Sequence, residues 1–380
     1  MDDGLLRMLE TYAARGVKSM HMPGHKRNVG AARYLDALGA RLDITEIDGF
    51  DNLHEPSGIL KDAMDRAAAL WGSQHAFYLV NGSTCGILAG VRATTAPGNR
   101  VIVARNGHQS VYHALELMEL GASYILPEFD EALGVYGSVS PESVAGALAQ
   151  NPDARLVVVT SPTYEGAVSD IAAIRRVTSA QGVPLMVDEA HGMGVVGATG
   201  HGIHEHWNVD ARDVDIWMGT LSKTLSGCGG YIAGNADLIA WLKHSAPGFV
   251  YSVGMAPALA AAALESLRIL AAEPERVARL QANAALFLRL AKEAGLDTGT
   301  SAGLAIVPVI VGSSVGAARL SQALFEAGIN VQPILYPAVP ESSARLRFFL
   351  SADHTEAQIR TTIAAVAQAM AGARPAEIAG

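Results

Sequence analysis

A chain of 380 residues, 50% hydrophobic and 17% charged, is long enough to bury a large core and to carry a smaller unit beside it. Its net charge of -9 argues against a nucleic-acid partner, and its 2 cysteines, Cys85 and Cys228, cannot build a disulfide framework or a four-thiolate metal site. No apolar run reaches the ~18 residues of a membrane span, and the opening "MDDGLLRMLETYAARG" has neither a basic nor an apolar leader region, so a soluble cytoplasmic protein is expected.

In chain order, a first helix leads into the Pro-, Gly- and His-rich "MHMPGHKRN" and then a second helix, "AARYLDALGA". From about residue 75 short apolar runs alternate with helical patterns. "HAFYLV" reads as a strand, and "NGSTCGILAGVRATTA" as a turn opening a helix. "RVIVAR" is a strand followed by the helix "GHQSVYHALELMELG". "ASYILPE", "ARLVVVTSPT" and "VPLMVDEAH" are further strands. Continuous β-branched runs between amphipathic helices suit parallel strands covered on both faces. A long Ala/Leu-rich helix follows at roughly 256–272, and then "LAIVPVIVG", "INVQPILYPAVP" and "ARLRFFLSA" describe a second α+β unit. The expected fold is α/β, a large doubly wound and mostly parallel sheet with a smaller C-terminal α+β domain. The expected division is an N-terminal arm (1–45), a large domain (46–252), a small domain (253–372) and a tail (373–380).

On such a sheet ligands bind beyond the carboxyl ends of the strands, and three segments fall there. "VNGSTCG" opens a helix whose exposed N–H groups, with Ser83 and Thr84, can cradle an anion; ordinary N-capping is the competing explanation. "MVDEAHGMG" puts Asp188 and His191 at a strand end, where a carboxylate can pair with a protonated ring nitrogen or simply cap the next turn. "GTLSKTLSGCGGYIAG" holds one lysine, Lys223, among small residues, with Thr220 and Ser222 beside it. A desolvated, electropositive setting lowers a lysine pKa, and only the neutral amine condenses with an aldehyde. Together these are the parts that pyridoxal 5'-phosphate (PLP) requires: a phosphate grip, a carboxylate for the ring nitrogen and a Schiff-base lysine.

Over nearly its whole length the chain resembles the fold-type I PLP enzymes, the aspartate-aminotransferase-like fold. From about 150 onward, "VDEAHGMGVVGATGHG", "DIWMGTLSKTLSGCGGYIAG", "GINVQPILYPAVP" and "ARLRFFLSADHT" resemble the α-oxoamine synthases, the group of the amino-oxononanoate, aminolevulinate and serine palmitoyl synthases. From about 18 to 150, "HMPGHKRN", "DITEIDGFDNLHEPSG", "FYLVNGSTCGILAG" and "RNGHQSV" resemble the small ornithine/lysine/arginine decarboxylases. The resemblance implies that Lys223 holds PLP, that Asp188 keeps the ring nitrogen protonated, and that His191 contacts the ring hydroxyl. It further implies that His108 stacks on the ring and that Ser83, Thr84, Thr220 and Ser222 hold phosphate. A homodimer is implied, with Ser252 of "FVYSVG" reaching the other copy's phosphate. In "RLR", Arg347 would grip the substrate carboxylate through a bidentate fork. His25 and Lys26 would contact substrate at the entrance.

The two halves imply different fates for the Cα carbanion. A synthase attacks an acyl thioester, on coenzyme A or a carrier protein, and loses CO2; a decarboxylase of a basic amino acid protonates the carbanion. The residue before Lys223 is Ser222, where the decarboxylases carry His, and "DGFDNLHEPSG" stands where the synthases carry a "GSGGSR"-like loop. The centre therefore points to decarboxylative condensation, with decarboxylation, or elimination or replacement, as alternatives. A PLP-binding regulatory protein would need no anchor such as Arg347. No metal is expected: His201, His204 and His206 have no thiolate nearby, and Pro23 and Gly24 break any helix between His21 and His25.

Overall fold

The structure is a computed structural model, and it describes residues 4–18, 20, 25–26, 39–131 and 135–372. Most of "HMPGHKRN", the second helix "AARYLDALGA" except its last two residues, and the tail 373–380 lie outside the described residues. The strands are β1 (His75–Leu79), β2 (Arg100–Ala104), β3 (Gly121–Ile125), β4 (Phe129–Asp130), β5 (Val135–Tyr136), β6 (Ala154–Thr160), β7 (Leu185–Asp188), β8 (Ile216–Thr220), β9 (Gly230–Gly234), β10 (Ile306–Ile310), β11 (Gln332–Ile334) and β12 (Arg345–Phe349).

Among the described residues, seven strands form one sheet in the order β1-β9-β8-β7-β6-β2-β3. Neighbours from β8 through to β3 pair in parallel, and β9 alone is reversed, antiparallel to both β8 and β1. The two antiparallel steps restore direction, so β1 points the same way as β8. The carboxyl ends of β1, β2, β6, β7 and β8 therefore share one edge of the sheet.

The central strands are buried almost throughout, as the uninterrupted apolar runs require when helices cover both faces. Helix Gly82–Thr94 lies close on the sheet because its Gly86 and Gly90 leave room for Met218 and Met186. The Gly-rich segment after Lys223 is not loop throughout. Its last five residues are the buried strand β9, with Tyr231 filling the space that the missing side chain of Gly219 leaves.

A second sheet, β10-β12-β11, is antiparallel and has its own apolar core, including Phe287, Val307, Leu346, Phe348 and Val366. Helix Pro257–Ala272 gives Ala263, Leu267 and Leu270 to the larger core instead. Among the described residues, no helix is long and apolar enough to cross a membrane.

Candidate active site

The shared carboxyl-end edge gathers the segments that carry the chemistry. Leaving β1, the chain turns through Asn81 (φ 60°) and Gly82 (φ 70°) into helix Gly82–Thr94. Asn and Gly are the residues that accept such left-handed backbone. Asn81 is the N-cap and makes no side-chain capping bond, so Ser83 and Thr84 stand inside the first turn and are not its caps. Gly230 lies in register with both Leu79 and Thr220. A Cβ there would come within 2.8 Å of the Gly82 carbonyl oxygen and 2.9 Å of Ser83 Cα. The helix start is thus pressed directly onto the backbone of β9. On the other side of β9, Thr220 Oγ1 and Ser222 Oγ lie 2.7 Å apart, and the Ser222 N–H donates to Thr220 Oγ1 at 3.2 Å.

Asp188 ends β7 and is 3% exposed. Its Oδ1 accepts the Ala190 N–H at 3.1 Å, the turn-capping role, but burial raises its pKa, opposed by that bond and by the charges of His108 and Lys223. Lys223 as a whole is exposed, yet desolvation is the largest influence on its amine and lowers its pKa; Arg347 lowers it further, and Asp188 works against both. His191 is pushed down to about 3 by desolvation and then by Lys223, Arg347 and His108, so it is a neutral imidazole. His108 caps helix Gln109–Leu117, its Nδ1 accepting the Ser110 N–H, which fixes the ring's base at the sheet edge.

The smaller sheet delivers Arg347. Its guanidinium carbon sits 3.3 Å from the centroid of the Tyr164 ring, and that ring stands edge-on to His191 at 6.2 Å. Arg347 Nε and Nη1 are buried with no hydrogen-bond partner, as are Thr160 Oγ1 at the end of β6 and Asn106 Oδ1 beyond β2. Leaving a buried polar group unmet costs about 1–3 kcal/mol, so unmet groups collected along one edge mark a place for a polar ligand. The donor set fits PLP with an amino acid: a buried carboxylate for a protonated ring nitrogen, an amine for an aldehyde, hydroxyls and N–H groups for phosphate, and a guanidinium with two unmet nitrogens for a carboxylate.

Ser252 fits its expected role less directly. Its hydroxyl is buried without a partner and its carbonyl meets His54 Nε2 at 2.8 Å, while the flanking Tyr251 is 99% exposed. His25 Nε2 lies 3.0 Å from Asp43 Oδ2, with Lys26 beside it in the same turn.

Sequence reasoning passed over Tyr164, Glu165 and Arg345. Arg345 Nη1 pairs with Glu165 Oε1 at 2.9 Å, next to the Tyr164–Arg347 stack. The available signal was the alternation in "RLR", which puts both arginines on one face of a strand. Glu189 was also passed over as a buried hub: it accepts from the Tyr231 hydroxyl at 2.8 Å and from the Ile203 N–H at 3.3 Å.

A family model described as "Orn/Lys/Arg decarboxylase, major domain" matches residues 4–195, just over half of the chain. The chain is 42% identical over 213 residues to an 8-amino-7-oxononanoate synthase of Pseudomonas fluorescens, covering 56% of this chain and 54% of that protein. It is 39% identical over 197 residues to the uncharacterized protein YaaO of Bacillus subtilis, covering 50% of this chain and 41% of that one. The chain thus spans about half the length of these curated relatives. Among solved structures, a serine palmitoyltransferase of Sphingomonas wittichii superposes with a TM-score of 0.76 at 25% identity, covering 90% of this chain and 83% of that one. The fold is therefore that of the fold-type I PLP enzymes, and the chain is similar to the α-oxoamine synthases among them.

Proposed function

The chain belongs to the Orn/Lys/Arg decarboxylase major-domain family, and from that premise we propose that it is a PLP enzyme acting at Cα of an amino acid, joining it to an acyl thioester with loss of CO2. The observation that carries the proposal is Arg347: a desolvated guanidinium, with Nε and Nη1 unmet, close enough to the Lys223 amine to lower its pKa. A protein that only stored PLP would have no use for a second anion-binding anchor there. The likeness to synthases named for 8-amino-7-oxononanoate and serine palmitoyl chemistry supports the condensation reading.

When bound, PLP supplies a ring that withdraws electrons from Cα. The chain's own residues hold and aim the reactants. Asp188 offers a buried carboxylate to the ring nitrogen's proton, and that cation supplies the partner its burial lacks. Lys223 would hold the cofactor through its aldehyde and move the proton at Cα; its lowered pKa favours the neutral amine that both tasks need. His191, neutral at physiological pH, would hydrogen-bond the ring hydroxyl, and His108 would lie against the ring. Ser83, Thr84, Thr220 and Ser222, with the N–H groups at the start of helix Gly82–Thr94, grip phosphate. Arg347 binds the substrate carboxylate in its fork, while His25 and Lys26 line the approach.

The unpartnered Ser252 hydroxyl would meet the phosphate of a second copy. The exposed Tyr251 and Val253 that flank it would then be covered in a homodimer. Two free thiols, Cys85 and Cys228, suit a reducing, cytoplasmic compartment.

Family membership itself favours a second reading, decarboxylation of lysine, ornithine or arginine. Incubation in deuterated water separates the two. Deuterium exchange at Cα without CO2, followed by CO2 release on adding an acyl thioester, is the expected result. Rapid CO2 release from a basic amino acid alone would overturn the condensation in favour of the decarboxylase.

A further inference from the structure

β12 carries two arginines on one face, Arg345 and Arg347, while Leu346 and Phe348 turn into the smaller core. Both arginines face the segment after β6, and the two are treated differently. Arg345 is 1% exposed; its Nε donates to the Ser343 carbonyl at 2.7 Å, and its Nη1 lies 2.9 Å from Glu165 Oε1, an ion pair by distance that lacks hydrogen-bond geometry. Arg347 has no such acid. It lies against the Tyr164 ring at 3.3 Å and the Phe349 ring at 4.7 Å, and its Nε and Nη1 are buried with no hydrogen-bond partner.

Glu165 follows Tyr164 directly, so the acid that could neutralise Arg347 is one residue away from the ring that stacks on it. Its other oxygen, Oε2, is buried and has no hydrogen-bond partner. Without Arg345, that carboxylate would be a buried charge seeking a cation, and Arg347 is the neighbour that could supply one.

We infer that Tyr164 and Arg345 are positioning residues for the substrate carboxylate: Tyr164 holds the Arg347 guanidinium flat, and Arg345 ties Glu165 away so that the anchor stays open. The inference rests on the reading of Arg347 as the carboxylate anchor. It explains why the strand carries two arginines when one carboxylate is to be bound. The ligand class it specifies is an amino acid whose carboxylate meets the edge of a stacked guanidinium, in the bidentate geometry that planar donors favour.

The test measures the advantage that a carboxylate confers on binding, with no need for turnover. L-serine and ethanolamine, and L-alanine and ethylamine, are titrated into the purified holoenzyme while the cofactor absorbance is followed, and melting temperatures are recorded for every variant. The ratio of amine to amino-acid dissociation constants reports the carboxylate contact alone. Arg347→Ala should bring the ratio close to unity. Tyr164→Ala should lower it by about tenfold, the range of a desolvated cation–π contact, with amine binding unchanged, whereas Tyr164→Phe should keep it. Arg345→Met should lower it as Glu165 captures Arg347, and adding Glu165→Gln to Arg345→Met should restore it. If Arg347→Ala collapses the ratio but Tyr164→Ala leaves it intact, the positioning role is overturned and the anchor stands. If Arg347→Ala itself leaves the ratio intact, the anchor reading fails and takes this inference with it. Should Arg345→Met not fold, the Tyr164 pair decides alone.

Discussion

Tyr231 on β9 donates its hydroxyl hydrogen to Glu189 Oε1 across 2.8 Å, tying the strand beyond the lysine loop to the residue beside Asp188. The Tyr231 ring stacks on Trp71 with centroids 3.8 Å apart, and Glu189 is 2% exposed. Burial raises the Glu189 pKa to about 7, helped by the charge of Asp188 and opposed by the Tyr231 and Ile203 hydrogen bonds. The folded protein therefore keeps a proton on Glu189 at pH values where the unfolded chain, near 4.5, has lost it. This contribution to stability is complete below about pH 4.5 and is lost as pH rises through about 7.

Glu189→Gln should remove that dependence. The difference in unfolding free energy between wild type and variant should change by roughly 3 kcal/mol between pH 4 and pH 8. Asp188, whose pKa is raised in the same direction, adds a slope common to both proteins. Urea titrations across this range check it, and a pH-independent difference would remove Glu189 from the account.

Gly230→Ala should damage cofactor retention as well as folding. The added Cβ meets backbone, the Gly82 carbonyl oxygen at 2.8 Å and Ser83 Cα at 2.9 Å, so the helix start must move relative to β9. The phosphate grip proposed for Ser83, Thr84 and Thr220 is built across that seam. Faster loss of PLP on dialysis is expected together with a lowered melting temperature; unchanged retention would place the phosphate elsewhere.

Lys223→Ala should abolish the visible band of covalently held PLP, and borohydride should then label no lysine of the variant. An unchanged band, or trapping on another lysine, contradicts the proposed anchor.

Asp188→Asn should still take up PLP but lose about 10²–10³-fold in turnover, the range seen on removing an electrostatic group aimed at developing charge. Single-turnover measurements at saturating amino acid separate this from weakened binding. Near wild-type turnover would refute the role.

Glu165→Leu alone should destabilise the protein by about 3–5 kcal/mol, because it strands the buried Arg345 charge, while the double variant with Arg345→Met should recover most of that loss. Urea unfolding of the three proteins measures it; additive losses in the double variant would show that the pair is not coupled.

The sequence by itself determined what is local. Apolar runs such as "ARLVVVT" and "LMVD" mark strands because two covered faces demand unbroken hydrophobicity. Asp188, His191 and Lys223 were legible because each sits at or just beyond a strand end, where an α/β sheet binds its ligands. The reversal of β9, the pressing of Gly230 on Gly82, the tie between Tyr231 and Glu189, and the choice of Arg345 over Arg347 by Glu165 were decided by tertiary structure alone. Each joins side chains or backbone far apart in the chain, through contacts that no local propensity or periodicity encodes. "RLR" and "TYEG" look the same whichever arginine the acid takes; burial and distance in the packed protein make the assignment.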